Sequence, residues 1–219
     1  MKRFYKINDK LYPSVTTIIH SILRRYELEQ WRGRIGNEKA DEILEWTSDF
    51  GFTFHKICED YINHCLISEF PEYTLQTFPI LDYTDRQDWQ FILKKMLVLF
   101  DDFLNKYVLD IWEVEKIVYS EKYQYAGTLD LLVTMADNTL TLIDIKTSNQ
   151  IHKEFLLQLA AYKYAYQEMT GKRIKKLLIL NIPRSDNPKI KTYELQNPKL
   201  AFDLFKSCLF IFKNFENLK

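Results

Sequence analysis

The 219-residue chain carries 30 basic and 30 acidic side chains, for a formal charge of zero, and is 47% apolar and 15% aromatic with only 5 Gly and 6 Pro. That length and composition suit one hydrophobic core and exclude disordered, collagen-like and repeat architectures, while the charge balance requires any nucleic-acid surface to be local. Cys58, Cys65 and Cys208 form no CxxC pair, which favours a reducing compartment and thiols packed as small apolar residues. No stretch approaches the ~18 apolar residues of a membrane span, and no apolar signal core follows the N-terminal charges; the expected setting is intracellular, cytoplasmic and without membrane.

Residues 3 to 12 read as two short strands around Asn8-Asp9, and Ser14 is placed to cap a helix opening after Pro13. A mostly helical pattern then runs to about residue 110. Phe54, Ile57, Cys58, Tyr61, Ile62 and Cys65 recur at three- and four-residue steps, as on an amphipathic helix. Residues 69 to 83, with Pro71 and Pro79, read as a connection. Thr84 and Gln87 resemble a capping box ahead of a helix carrying Trp89, Ile92, Leu93, Met96, Phe100, Phe103 and Tyr107.

Near residue 111 the texture changes. Strands are expected at 114–121, 127–134 and 139–147, the last two joined by a turn at Asp137-Asn138, as an antiparallel meander. Residues 151 to 170 return to helical period and end at Gly171, a C-terminal cap. Strands at 176–182 and 190–195 follow, and a last helix starts from Asn197 as cap with Pro198 in its first turn.

Chemistry concentrates in Gly127-Thr-Leu-Asp130 and Asp144-Ile-Lys146-Thr147. Side chains alternate along a strand, so Asp144 and Lys146 share a face, and antiparallel pairing can bring Asp130 opposite them. Strand interiors disfavour Asp, and both acids interrupt runs of Leu, Ile and Val. Mg2+ or Mn2+, hard cations that prefer oxygen ligands and leave room for a phosphate, would compensate such buried charge. Lys146 would then orient the attacking water or stabilise charge developing on phosphorus. The same spacing also suits a structural Asp–Lys pair with a turn-proximal Asp.

His55 sits at the edge of an apolar helical stripe, as either a boundary residue or a ligand, with Glu59 one turn on as a solvated charge or an orienter of its ring. Gln158 projects with Phe155, Leu159, Tyr162, Tyr166 and Met169; it is either a core-edge amide or a group aimed at the site, with Tyr162 as neighbour. Basic residues at Arg24, Arg25, Arg32, Arg34, Lys153, Lys163, Lys172, Arg173, Lys175 and Lys176 are solvated faces or phosphate contacts beside base-stacking aromatics.

Together GFTFHKICEDYI, GTLD, DIKT and QLAAY resemble, in order and interval, the motif series of the RecB-like branch of the PD-(D/E)XK nucleases. The resemblance implies an α/β fold: a restriction-endonuclease-like core with a mixed central sheet flanked by helices, plus a helical N-terminal region. It makes His55, Asp130, Asp144 and the Ile145 carbonyl metal ligands, Lys146 catalytic with Gln158 beside it, and Glu115 an auxiliary acid or a surface strand charge. Thr147, Ser148, Tyr162, Lys153 and Arg32 are the implied DNA contacts. The segments YPSVTTII, ELEQWRGR and EWTSDFGFTFHKICED are similar to the mitochondrial genome maintenance exonuclease and its phage and bacterial relatives. That likeness implies a single nuclease domain over 1–219, with residues 14 to 110 enclosing the strand over a sheet-containing core at 111 to 219. Iron–sulfur members of the branch carry four cysteine ligands, and three scattered cysteines imply no cluster here.

The expectation is therefore a Mg2+- or Mn2+-dependent DNA exonuclease acting on single-stranded ends, with replication or recombination proteins as partners. A structure-specific flap or junction endonuclease, or a non-catalytic DNA-binding subunit retaining the fold, are the rivals.

Overall fold

The computed structural model describes residues 3–23, 26–69 and 72–215. The chain opens with a hairpin of β1 (Phe4–Ile7) and β2 (Lys10–Pro13), paired from Phe4↔Pro13 to Ile7↔Lys10. Asn8 and Asp9 turn it with φ of 47° and 60°, the left-handed conformation that two-residue hairpins require and that these short polar residues tolerate. Ser14 then caps α1 (Val15–Ile22), its hydroxyl accepting from Thr17 N at 3.0 Å. Helices α2 (Tyr26–Ile35) and α3 (Asn37–Tyr61) follow, and α3 continues into a wider-wound turn at Ile62–Leu66.

Between α3 and α4 (Gln87–Tyr107) the expected connection holds a hydrogen-bonded turn at Thr74–Thr77 and a short 3-10 helix at Ile80–Tyr83; Pro71 lies outside the described residues. The expected capping box does not form. Arg86 occupies the cap position, and Thr84 instead uses its hydroxyl to accept from Arg86 N at 3.2 Å, while its carbonyl accepts from Gln90 Nε2 at 2.7 Å.

The remaining elements are β3 (Val108–Ser120), β4 (Tyr125–Met135), β5 (Leu140–Lys146), α5 (Lys153–Thr170), β6 (Lys176–Asn181), β7 (Lys191–Glu194) and α6 (Pro198–Asn214). Gly171 ends α5 at φ 71°, and Asn197 caps α6 by accepting from Leu200 N at 3.0 Å. Sheet order is β3-β4-β5-β6-β7. The first three strands form an antiparallel meander, α5 crosses over to make β5 and β6 parallel, and β7 returns antiparallel.

Each face of this mixed sheet is buried. Leu132, Leu142, Leu177 and Ile179 pack with α1, α5 and α6, so the first helix shares a core with the last two. Leu131, Val133, Ile143, Ile145, Leu178 and Leu180 pack with α3 and α4. Cys58 and Cys208 are buried free thiols in different cores.

The alternation fails at one place. Leu129 and Leu131 would share a face in a regular strand, yet they enter different cores, and Val114 and Val118 do the same on β3. Both switches fall at Glu115 and Asp130, which lie opposite each other between the pairs Val114↔Leu131 and Lys116↔Leu129. Glu115 makes the switch by adopting φ 46°, a conformation that costs a non-glycine residue about 1 kcal/mol or more and that recurs at functional sites.

Candidate active site

Pairing of β4 with β5 stops at Leu131↔Ile143, whereas β5 stays paired with β6 through Lys146↔Asn181. The sheet therefore forks at Asp130 and Asp144. Asp130 reaches across the fork, its Oδ2 accepting from Ile145 N at 2.6 Å, so a side chain satisfies the backbone donor that the missing strand partner leaves. The other oxygen, Oδ1, lies 3.7 Å from His55 Nδ1.

His55 is carried by α3 and meets three strands. Its Nδ1 is 3.4 Å from Glu115 Oε1 and its Nε2 is 3.1 Å from the Ile145 carbonyl. A carbonyl only accepts, so Nε2 carries the proton and Nδ1 faces the two carboxylates. Burial opposes charging of the imidazole, but Asp130 and Glu115 outweigh it and hold the pKa above its ordinary 6.5. One ligand atom each from His55, Glu115 and Asp130 lies within 4.8 Å of the others. Glu59 takes no part in this; it pairs with Lys56 at 3.0 Å on the exposed side, which corrects its reading as the ring's orienter.

Asp144 is fully buried and outside that trio. Lys146 Nζ lies 2.7 Å from its Oδ2, an ion pair by distance, although the approach is off the direction of a hydrogen bond and both Asp144 oxygens remain without an aligned donor. Burial and Asp130 push its carboxyl up to about 6 against the opposing pull of Lys146. Lys146 is also held above its usual range: burial opposes its charge, but Asp144 and Asp130 more than compensate. Its ammonium sits 5.0 Å from the Phe155 ring. Asn181 braces the backbone beyond it, Nδ2 donating to the carbonyls of Lys146 and Ser148 at 3.0 and 2.8 Å.

From α5, Gln158 Nε2 donates to the Tyr162 hydroxyl at 3.0 Å. Tyr162 lies so close over Gly127 that a Cβ there would clash with its ring. Gly127 is thus required by close approach, not by turn geometry.

His55, Glu115, Asp130, Lys146, Gln158 and Tyr162 open onto one cavity of about 1190 Å³, which also has Arg3, Tyr5, Trp31, Phe52, Thr147, Ser148 and Arg184 in its walls, whereas the buried Asp144 is not part of its lining. Of the expected DNA contacts, Thr147, Ser148 and Tyr162 reach it. Arg32 does not, being paired with Asp41 at 2.8 Å, and exposed Lys153 is also absent from the lining. Arg24 and Arg25 lie outside the described residues. Sequence alone missed Arg184 and the approach of Glu115 to His55. The resemblance had marked Glu115 as an auxiliary acid or a surface charge, but its meeting with His55 depends on its positive φ; Arg184 has no local signal.

A divalent cation fits this donor set. Carboxylates are the ligands such ions prefer, a histidine supplies a bare ring nitrogen beside them, and the Asp144 oxygens are buried without aligned donors. Among the described residues no helix is long and apolar enough to cross a membrane.

No curated protein sequence matches the chain at a significant level. Among solved structures it is similar to a protein from Eubacterium rectale provisionally named an exonuclease, with 12% identity, a TM-score of 0.50, and 76% of this chain and 68% of that one covered. It also aligns with SSO0001 at 15% identity and a TM-score of 0.36, covering 77% and 85%. Residues 17–209 match the PD-(D/E)XK nuclease superfamily, to which the chain therefore belongs.

Proposed function

We propose that the chain is a divalent-metal-dependent deoxyribonuclease that degrades single-stranded DNA from its ends. The observation that carries the nuclease part is the convergence of His55, Glu115, Asp130 and Lys146 at the wall of one cavity, with Lys146 paired to the buried Asp144. Mg2+ or Mn2+ held by His55, Asp130 and Asp144, with Glu115 and the Ile145 carbonyl adjoining, would polarise a phosphate oxygen and make water nucleophilic at neutral pH.

The chain's own groups do the rest. Asp130 is fixed by its bond from Ile145 N, so its free oxygen is aimed before substrate arrives. Lys146, kept an ammonium by Asp144 and Asp130, is a donor and not a base in this arrangement. It positions the attacking water or stabilises charge gathering on the phosphate. Gln158 and Tyr162 form a hydrogen-bonded pair lining the cavity, where they contact the strand.

Preference for single strands is supported by the aromatic side chains in the cavity wall. Tyr5, Trp31 and Phe52, the last 76% exposed, offer faces on which unpaired bases stack. The helices within residues 14 to 110 that line the cavity fit the strand-enclosing role implied by likeness to the mitochondrial genome maintenance exonuclease and its relatives. A circular single strand beside its linear form tests the end requirement: the linear form should be degraded and the circle spared, whereas cutting of the circle would make the enzyme an endonuclease.

A further inference from the structure

Four lysine or arginine side chains line the cavity among the described residues: Arg3, Lys56, Lys146 and Arg184. Lys56 is spoken for by Glu59 and Asp60, each at 3.0 Å, and Lys146 by Asp144 at 2.7 Å. Arg3 is exposed, so water screens its charge.

Arg184 differs from all three. It is half-buried, yet no carboxylate among the described residues pairs with it. Among the described residues its guanidinium donates once, to the Thr47 carbonyl at 3.3 Å, and it lies 5.6 Å from the Trp46 ring. Burial lowers its pKa with no anion to oppose that. A partly desolvated cation facing a cavity, with most of its five-donor fork unused, is built to receive an anion.

Its position relative to the reacting groups is fixed. Arg184 N donates to the Thr147 carbonyl at 3.1 Å, one residue past Lys146, and Ile182 N donates to the Lys146 carbonyl at 2.9 Å. Lys146 and Arg184 are therefore held on adjoining backbone segments and open onto the same space.

We infer that Arg184 binds a phosphate of the substrate strand next to the one that is cleaved, an assignment that rests on the nuclease function proposed above. Internal phosphodiesters and terminal phosphates offer the guanidinium the same oxygens in the same bidentate geometry. The alternative is a purely structural role, with Arg184 tying the segment after β6 to α3 through Thr47.

The test compares wild type, Arg184→Ala and Arg184→Lys in Mn2+ on linear single strands of two unrelated sequences, with and without terminal phosphates, over a range of salt. Arg184→Ala should raise KM by at least about tenfold on both sequences with kcat little changed, the loss expected for one charged hydrogen-bonding partner. The slope of log(kcat/KM) against log salt should become shallower by about 0.7, the value of one phosphate contact on a single strand. Arg184→Lys, which keeps the charge and guards against a folding defect, should recover the slope and part of the KM. Equal loss with and without terminal phosphates identifies an internal phosphodiester; loss confined to phosphorylated ends identifies the terminal group; both support the assignment. An unchanged KM and salt slope, whatever happens to thermal stability, overturns it and leaves the structural tie. A wild type inert toward every strand overturns the nuclease function and the Arg184 assignment together.

Discussion

Asp130 holds the backbone N–H of Ile145 at 2.6 Å across the point where β4 and β5 part. One carboxylate thus has two tasks: Oδ2 closes the fork and Oδ1 faces His55. The tasks separate on mutation. Asp130→Asn retains an oxygen that can accept from Ile145 N and should fold normally while losing cleavage. Asp130→Ala should in addition lose about 1–3 kcal/mol of stability, because it orphans a buried donor. Denaturant titration alongside cleavage assays checks both, and equal stability of the two variants would refute the bracing role.

Lys146, at the cavity wall, has the fully buried Asp144 as its counter-ion. Lys146→Ala should cut the cleavage rate by about 10²-fold or more, the loss typical of removing one charge-stabilising donor. It should also raise the Asp144 carboxyl further above about 6, since the pull that lowers it is gone. Single-turnover rates and the pH dependence of stability report the two effects independently.

Glu115 adopts φ 46° on a strand. Asn tolerates that conformation better than Glu, so Glu115→Asn should be at least as stable as the wild type. Because the same residue faces His55 Nδ1 at 3.4 Å, Mn2+ affinity and cleavage should fall. A variant both less stable and fully active would show that the strain serves folding instead.

In the metal-free protein Asp144 and His55 both have folded-state pKa values above their ordinary ones, Asp144 at about 6 and His55 above 6.5. The folded state then binds more protons than the unfolded one, and the site's contribution to stability declines as pH rises from about 4 through those folded values. A bound cation needs both groups deprotonated and reverses the trend. Thermal unfolding in EDTA and in Mn2+ at pH 5.5 and pH 8 should show the gap widening at pH 8, with protons released on binding near neutrality. A gap independent of pH would remove Asp144 and His55 from the site.

The reach of Asp130 to Ile145 N was not legible, because alternation switches at Asp130 and β4–β5 pairing ends at Leu131↔Ile143, whereas the shared face of Asp144 and Lys146 was, because period-two alternation places them with little reference to the rest of the chain. Ser14, Gly171 and Asn197 were legible for the same reason: caps are local. Thr84 and Gln87 show the limit of local rules, since Gln90 and Arg86 compete for Thr84 and displace the capping box. The meeting of Glu115 and His55 was not readable, because it depends on a left-handed residue that the sequence does not mark with glycine. Arg184 was hidden for another reason: backbone bonds after β6 bring it to the residue following Lys146, and no motif surrounds it.

The most direct measurement is digestion of end-labelled linear single-stranded DNA with Mn2+ or Mg2+, using EDTA and Asp144→Ala as controls. Metal-dependent shortening that is lost in EDTA and in the variant is the predicted result. No cleavage of single-stranded, flap or duplex DNA with either metal, by a protein that nonetheless binds DNA, would contradict it.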